Sequence, residues 1–274
     1  PYVFNVSDLW PESAIRLGIV KPGLATRLAE RLELSVYRNA IGVTGQSKEI
    51  VHSVRRRSPE TVTRVITNGV DPALFYGNRA DEAARQLLGT EPGPIFLYAG
   101  LFGLAQGLDQ ILDIAASMPD EVPGRFVLVG DGPVREHLLK RVRRDSIPRV
   151  RILPAQPRAR IPALLAAADV ALITLRTSIP GAVPSKIYEA MASSLPILLI
   201  ADGEASDRVE AAGCGLAVPP GDLKRARDAC QRLATDEMLR RRLGEAGRQA
   251  AETLYDRVQI AKRLDEFLRS LLTV

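Results

Sequence analysis

An α/β fold built on a parallel, doubly wound sheet is what this sequence of 274 residues predicts, and three observations carry it. Short apolar runs alternate with amphipathic stretches along the chain. The composition is aliphatic, at 46% hydrophobic residues with only 5% aromatic. Glycine clusters follow two of the apolar runs. Strand, helix, strand repeated in this way gives parallel strands with helices on both faces, and ligands beyond the carboxyl ends of the strands. A chain of this length is able to bury a large core.

Taken in order, residues 2–6 read as a strand, 24–37 as a helix, 40–44 as a strand, and a further helix starts near Ser47. In Val65-Ile66-Thr67-Asn68-Gly69-Val70-Asp71, Asn68-Gly69 is a turn signal after an apolar strand. A polar connection follows over 77–93, with Asn78, Arg79, Asp81, Glu82 and a Pro92-Gly93 step, and holds one short helix. After it the alternation becomes regular. Strands are expected at 94–99, 125–130, 150–153, 170–174, 196–201 and 216–218, with helices between them. Leu108, Ile111, Leu112, Ala115 and Met118 show the spacing of a core-facing helix. Residues 236–272 read as almost wholly helical.

The most informative segment is Pro184-Ser185-Lys186-Ile187-Tyr188-Glu189-Ala190-Met191-Ala192, which runs into the apolar stretch Ile197-Leu198-Leu199-Ile200. Pro184 suits a first helical turn, and the free amides of Ser185 and Lys186 then face outward from the positive end of the helix dipole. That arrangement accepts an anion. Glu189, about one turn further on, is placed to accept two hydroxyl hydrogen bonds from a diol such as a ribose. The plainer reading is an i,i+3 pair on a solvated helix face. Gly100-Leu101-Phe102-Gly103 and Gly130-Asp131-Gly132-Pro133 each follow an expected strand, where glycine lets the backbone approach a phosphate. Neither has the spacing of a dinucleotide fingerprint, and either serves equally as a tight turn.

Charge and composition set limits. The formal net charge is +5 and the isoelectric point about 9.4, from arginines dispersed over several helices. No nucleic-acid module or aromatic platform accompanies them, so nucleic acid is not an expected partner. Cys214 and Cys230 frame neither a disulfide scaffold nor a metal site, and suit a reducing, cytoplasmic compartment. His52 and His137 stand far apart, and there is no H-E-x-x-H or Asp-x-Asp, so no metal site is expected. No apolar run is as long as a membrane span requires.

With Val129-Gly130-Asp131-Gly132-Pro133, Ala168-Asp169-Val170, Gly213-Cys214-Gly215 and Pro219-Pro220-Gly221-Asp222 in this order, the chain resembles the retaining glycosyltransferases of family four. Asp8-Leu9-Trp10-Pro11-Glu12-Ser13 and Asn68-Gly69-Val70-Asp71 resemble its amino-sugar and deoxysugar branch of bacterial O-antigen and capsule assembly. The resemblance implies a GT-B architecture: a complete C-terminal Rossmann-like domain plus the truncated remainder of an N-terminal one. Residues 1–76 are then the acceptor-side remnant, 77–93 a linker, 94–255 the donor-binding domain and 256–274 a helix returning towards the N-terminal side.

It implies transfer with retention from a nucleotide sugar, a UDP-sugar first among them, with no metal and no other cofactor. The acceptor is a glycan or a lipid-linked glycan, reached from a cytoplasmic position at the membrane periphery. Carried over, Lys186 and Glu189 are the catalytic pair, with Glu189 on the ribose. Pro184, Ser185, Lys186, Gly100, Gly103 and Gly130 surround the diphosphate, and the base is expected near Leu153 to Gln156. Relatives carry a first Glu where this chain has Gly181, and Arg and Lys where it has Leu101 and Gln106. They also run over a hundred residues before the equivalent of Asp8, so the first half of the acceptor domain is expected to be missing. A non-catalytic nucleotide-sugar-binding fragment and a nucleotide-sugar epimerase remain as alternatives, and the oligomeric state is left open.

Overall fold

The computed structural model describes residues 1–75 and 81–272. The start of the expected linker, including Asn78 and Arg79, lies outside the described residues, as do the last two residues. The chain begins with β1 (Val3–Val6), α1 (Glu12–Arg16), α2 (Leu24–Asn39), β2 (Gly42–Gly45), α3 (Lys48–Arg57) and β3 (Thr63–Val65). These strands form a parallel sheet in the order β1-β2-β3, the first lobe of the molecule. After α4 (Glu82–Leu88) come β4 (Ile95–Leu101), α5 (Asp109–Ser117), β5 (Arg125–Asp131), α6 (Arg135–Arg144), β6 (Val150–Leu153), α7 (Ile161–Ala166), β7 (Val170–Thr174), α8 (Lys186–Ala192), β8 (Ile197–Ile200), α9 (Glu204–Ala211) and β9 (Gly215–Val218). This second sheet is parallel throughout, in the order β6-β5-β4-β7-β8-β9. The chain ends with α10 (Leu223–Thr235), α11 (Glu237–Thr253) and α12 (Arg257–Leu272).

The larger sheet is apolar on both faces because its strands alternate between two cores. Ile95, Leu97, Ala171, Ile173, Ile197 and Leu199 join the core under α8, α9 and α11. Phe96, Tyr98, Val170, Leu172, Leu198 and Ile200 point the other way, into the core under α5, α6 and α10. The strand order reverses between β4 and β7, where a doubly wound sheet opens its ligand crevice. The GT-B fold inferred from the resemblance is the fold observed, as two parallel α/β sheets.

Three local readings differ from the structure. The apolar strand expected before the Asn68-Gly69 turn is β3, set two residues earlier than its apolar run; the chain leaves the sheet after Ile66, whose amide bonds Gly45 O, and Val70 makes a further bridge, to Asp256. Helix α1 is absent from the sequence reading because Pro11 and two following turns leave it only five residues, too few for a periodic signal. The terminal helical stretch is broken at Leu254–Asp256, since Val70 takes both backbone bonds there: its amide donates to Tyr255 O at 2.9 Å and its carbonyl accepts from Arg257 at 2.8 Å. That break turns α12 back onto the first lobe, where Phe267 lies under Arg64.

Candidate functional site

Helix α8 is shaped by its burial. Ile187, Tyr188, Ala190, Met191 and Ala192 are buried, leaving Lys186 and Glu189 on the one partly open side. Behind it, α11 comes close because Gly247 faces Met191 without a side chain; a Cβ there would stand 3.3 Å from Met191 Cα. The helix begins two residues later than its proline suggested. Pro184 and Ser185 form a tight preceding turn, accepting from Ile187 and Tyr188 at 3.1 Å each. The amides of Ser185 and Lys186 donate to no carbonyl among the described residues and lie at the wall of a cleft.

That cleft, of about 430 Å³, opens between the two lobes. Asp8, Trp10 and Gln46 line it from the first lobe, and Gln106, Thr174 and Lys186 from the second. Its floor is the switch point between β4 and β7. Lys186 runs back over the end of β4, with its ammonium 5.5 Å from the centre of the Tyr98 ring. Gly100 makes this possible: a Cβ at its φ of +149° would stand 2.3 Å from Lys186 Cε and 2.6 Å from Nζ. Two segments separated by 86 positions in sequence therefore meet through a glycine and a lysine.

Both charged groups on α8 are held away from their ordinary ionisation. Burial pushes the Lys186 ammonium below the usual lysine range, with Glu189 opposing the shift. Burial pushes Glu189 up, opposed by Lys186, Arg158 and Arg257. Arg158 belongs to the loop after β6, so Glu189 and the end of β6 share one region. Gln106 adds a buried side-chain oxygen, Oε1, without a hydrogen-bond partner among the described residues. Among the described residues no group of three or more His, Cys, Asp or Glu is arranged to hold a metal ion, and no helix is long and apolar enough to cross a membrane.

The structure thus brings Pro184, Ser185 and Lys186 to one cleft, with Gly100 against the Lys186 side chain and Glu189 a turn beyond. Gly130 and Gly103 stand elsewhere, and Leu153 lies at the end of β6, in the region shared with Glu189. Gly130 pairs with Gly100 in the sheet and packs under it, since a Cβ there would meet Gly100 O at 1.9 Å and the Phe102 ring at 2.5 Å. Gly103 opens the single turn Leu104–Gln106 and faces a separate hollow of about 630 Å³ with His137 and Arg176. Leu153 ends the edge strand β6 and does not line the cleft. Sequence reasoning missed Tyr98, Thr174, Arg158 and Arg257, which come from four different segments; of these only Tyr98, two residues before Gly100, carried any local signal.

Gly181 has a different role from the one its position suggested. Its φ is +69°, and a Cβ would stand 2.6 Å from Ile50 Cγ1 and 2.7 Å from Ser47 Oγ of the first lobe. Its amide donates to Glu49 Oε2 at 2.7 Å. The position is occupied by a contact between lobes, so a glutamate side chain there has no room to reach the cleft.

The family model described as Glycosyl transferases group 1 matches residues 63–250. The protein named Probable glycosyltransferase WbjE, from Pseudomonas aeruginosa, is 29% identical over 227 residues, covering 81% of this chain and 56% of its own. The chain therefore spans little more than half the length of that relative. Among solved structures, the sucrose-phosphate synthase of Thermosynechococcus elongatus superposes with a TM-score of 0.82 at 25% identity, over 99% of this chain and 68% of that one. Anabaena Alr3699/HepE, solved in complex with UDP-glucose, shares the fold at a TM-score of 0.81 and 20% identity, over 98% and 72% of the two chains.

Proposed function

From the premise that the chain belongs to the group 1 glycosyl transferases, we propose that the protein binds a nucleotide sugar in the interlobe cleft and transfers the sugar to an acceptor with retention of configuration. A UDP-sugar is the donor this reading favours, in keeping with the UDP-glucose bound by the Anabaena protein of the same fold. The observation that carries it is the meeting of Lys186 with Gly100 at the switch point, beside two unbonded amides. As the glycosidic bond breaks, the departing diphosphate gains negative charge. Lys186 and the amides of Ser185 and Lys186 then interact with it more strongly than with the intact donor, which lowers the barrier. Glu189, nearer to the end of β6, accepts the ribose hydroxyls.

In this reading Lys186 offsets part of the diphosphate charge and the two amides solvate the rest, with no metal ion taking part. The acceptor, a glycan or a lipid-linked glycan at the membrane periphery, approaches from the side of Asp8 and Trp10 in the cleft. A second reading, nucleotide-sugar binding without transfer, is favoured by Gly181, which leaves the donor sugar without the carboxylate that relatives place there. Calorimetric titration with UDP-, GDP- and dTDP-sugars separates these readings. Binding of a UDP-sugar is expected, weakened at least about tenfold, or 1.4 kcal/mol, by Glu189→Ala. No binding by any of the panel sinks the donor site. Binding with no transfer to any glycan or lipid-linked acceptor supports the second reading.

A further inference from the structure

Behind the cleft, a compact polar cluster joins the lobes. Arg208 of α9 is 8% exposed, an unusual degree of burial for an arginine. Its guanidinium donates to Gln46 O at 2.8 Å, to Glu204 Oε1 at 2.6 Å, and to the hydroxyl of Tyr188. These partners belong to three places: the loop entering α3 in the first lobe, the first turn of α9, and the middle of α8. Gln46 is itself a wall of the cleft, fixed by its donation to Ser7 O at 2.6 Å. Tyr188 follows Lys186 by two residues and precedes Glu189, and it is fully buried against Tyr255, with ring centres 4.9 Å apart. One planar cation therefore holds both walls of the cleft.

Glu204 extends the cluster to the start of α3. Its other oxygen, Oε2, accepts from the amide of Glu49 at 3.1 Å, while Ser47 Oγ takes the amide of Ile50 at 3.2 Å. A carboxylate of the second lobe thus completes the capping of a first-lobe helix, where the dipole favours negative charge. Glu49 in turn takes the amide of Gly181, so the contact closes a loop from α9 through α3 to the segment that leads into α8. Burial alone raises the Glu204 carboxyl, but Arg208 and the amides of Lys48 and Glu49 bring it below its ordinary value.

We propose that Arg208 is a positioning residue: through the Tyr188 hydroxyl on one wall and the Gln46 carbonyl on the other, it sets the spacing of the cleft in which the nucleotide sugar binds. The inference rests on the reading of that cleft as the donor site. Only an arginine suits the role, because its fork reaches three acceptors in one plane where a lysine is a point charge. The side chain itself touches no substrate; its effect passes through α8 and the loop before α3.

Hydrogen exchange on the whole protein tests the coupling first without ligand. Tyr188→Phe removes one hydroxyl from α8 and touches neither Lys48 nor Glu49. It is expected to speed exchange at those two amides about threefold, and Arg208→Lys about tenfold, with Tm within a few degrees of the parent. Unchanged exchange at Lys48 and Glu49 in both variants overturns the proposal. The second arm adds UDP. In the parent, UDP is expected to slow exchange at Lys48, Glu49 and Gly181; in Arg208→Lys that slowing is lost and the Kd for UDP weakens about tenfold, with Tm still within a few degrees of the parent. If the Kd for UDP and the slowing both match the parent, Arg208 does not set the cleft and the positioning role is refuted. If the parent binds no UDP at all, the donor site is what fails, and the ligand-free arm alone decides the coupling.

Discussion

The cluster at Arg208 and the cleft at Lys186 lie on opposite sides of α8, and both contain buried charge, yet they are built in contrary ways. Arg208 donates to three acceptors, and Glu204 accepts from Arg208 and from the capped end of α3. Among the described residues Lys186 has only the face of Tyr98 and the neighbourhood of Glu189, and burial opposes the charge of both Lys186 and Glu189. Protein interiors satisfy their polar groups with few exceptions. The satisfied cluster holds the lobes together; the other has charge left open, which is what the proposed donor site requires of it. Perturbed ionisation in a cleft separates a binding site from a structural ion pair only when this difference in satisfaction is read with it.

The largest expected effect tests that contrast directly, by making the same substitution on both sides. Arg208→Met leaves Glu204 buried without its cation and Tyr188 and Gln46 without their donor. Loss of one member of a buried pair costs about 3 kcal/mol, the lower end of its range because Glu204 keeps the α3 amides. A fall in Tm of roughly 6–10 °C is expected by calorimetry. Lys186→Met removes a cation that burial disfavours, and its Tm is expected to stay level or rise while UDP affinity falls at least about tenfold. Equal losses of Tm would break the comparison, since both charges would then be structural.

A smaller effect is expected at Gly181. Introducing the glutamate that the family resemblance led us to expect there does not create a donor contact, because the site is already taken by Ser47 and Ile50 and the backbone has a φ of +69°. Gly181→Glu combines left-handed strain with a clash and loss of the Glu49 contact, for a cost of about 2 kcal/mol. Chemical denaturation is expected to show this loss without any gain in donor affinity. A tighter Kd for UDP-glucose with unchanged stability would place Gly181 on the cleft side instead.

How much of this was legible in the sequence follows from the range of each interaction. The strands of the second sheet were readable within one or two residues, because alternating burial on two faces gives continuous apolar runs bounded by turns. Strand 150–153 and strand 170–174 coincide with β6 and β7. Ser185 and Lys186 were readable as a helix start and Gly100 as a strand end, because each is imposed locally. Nothing local marks Gly130 as a packing glycine beneath Gly100 or Gly103 as facing another hollow; both depend on which neighbour the backbone meets. Arg208 gave no signal at all. Its partners Tyr188 and Gln46 are 20 and 162 positions away, and an arginine on an amphipathic helix reads as solvated until the fold buries it.

The smallest expected effect is the sharpest discriminator, because it opposes stability to binding in one residue. Burial raises the folded-state pKa of Glu189 above the ordinary 4.5 of a glutamate. Between 4.5 and that raised value the native protein holds a proton which the unfolded chain has released, so stability falls as pH rises through the window and remains lower at neutral pH. Glu189→Gln removes the cost. Its Tm is therefore expected to exceed that of the parent by about 2 °C at pH 7.5, the difference shrinking to nothing below pH 4.5. UDP-sugar affinity should move the opposite way at pH 7.5, since the amide offers one acceptor oxygen to the ribose where the carboxylate offers two. A variant less stable than the parent at pH 7.5 would mean that Arg158, Arg257 and Lys186 already satisfy the carboxylate, and Glu189 would then belong with Arg208 among the groups that hold the molecule together.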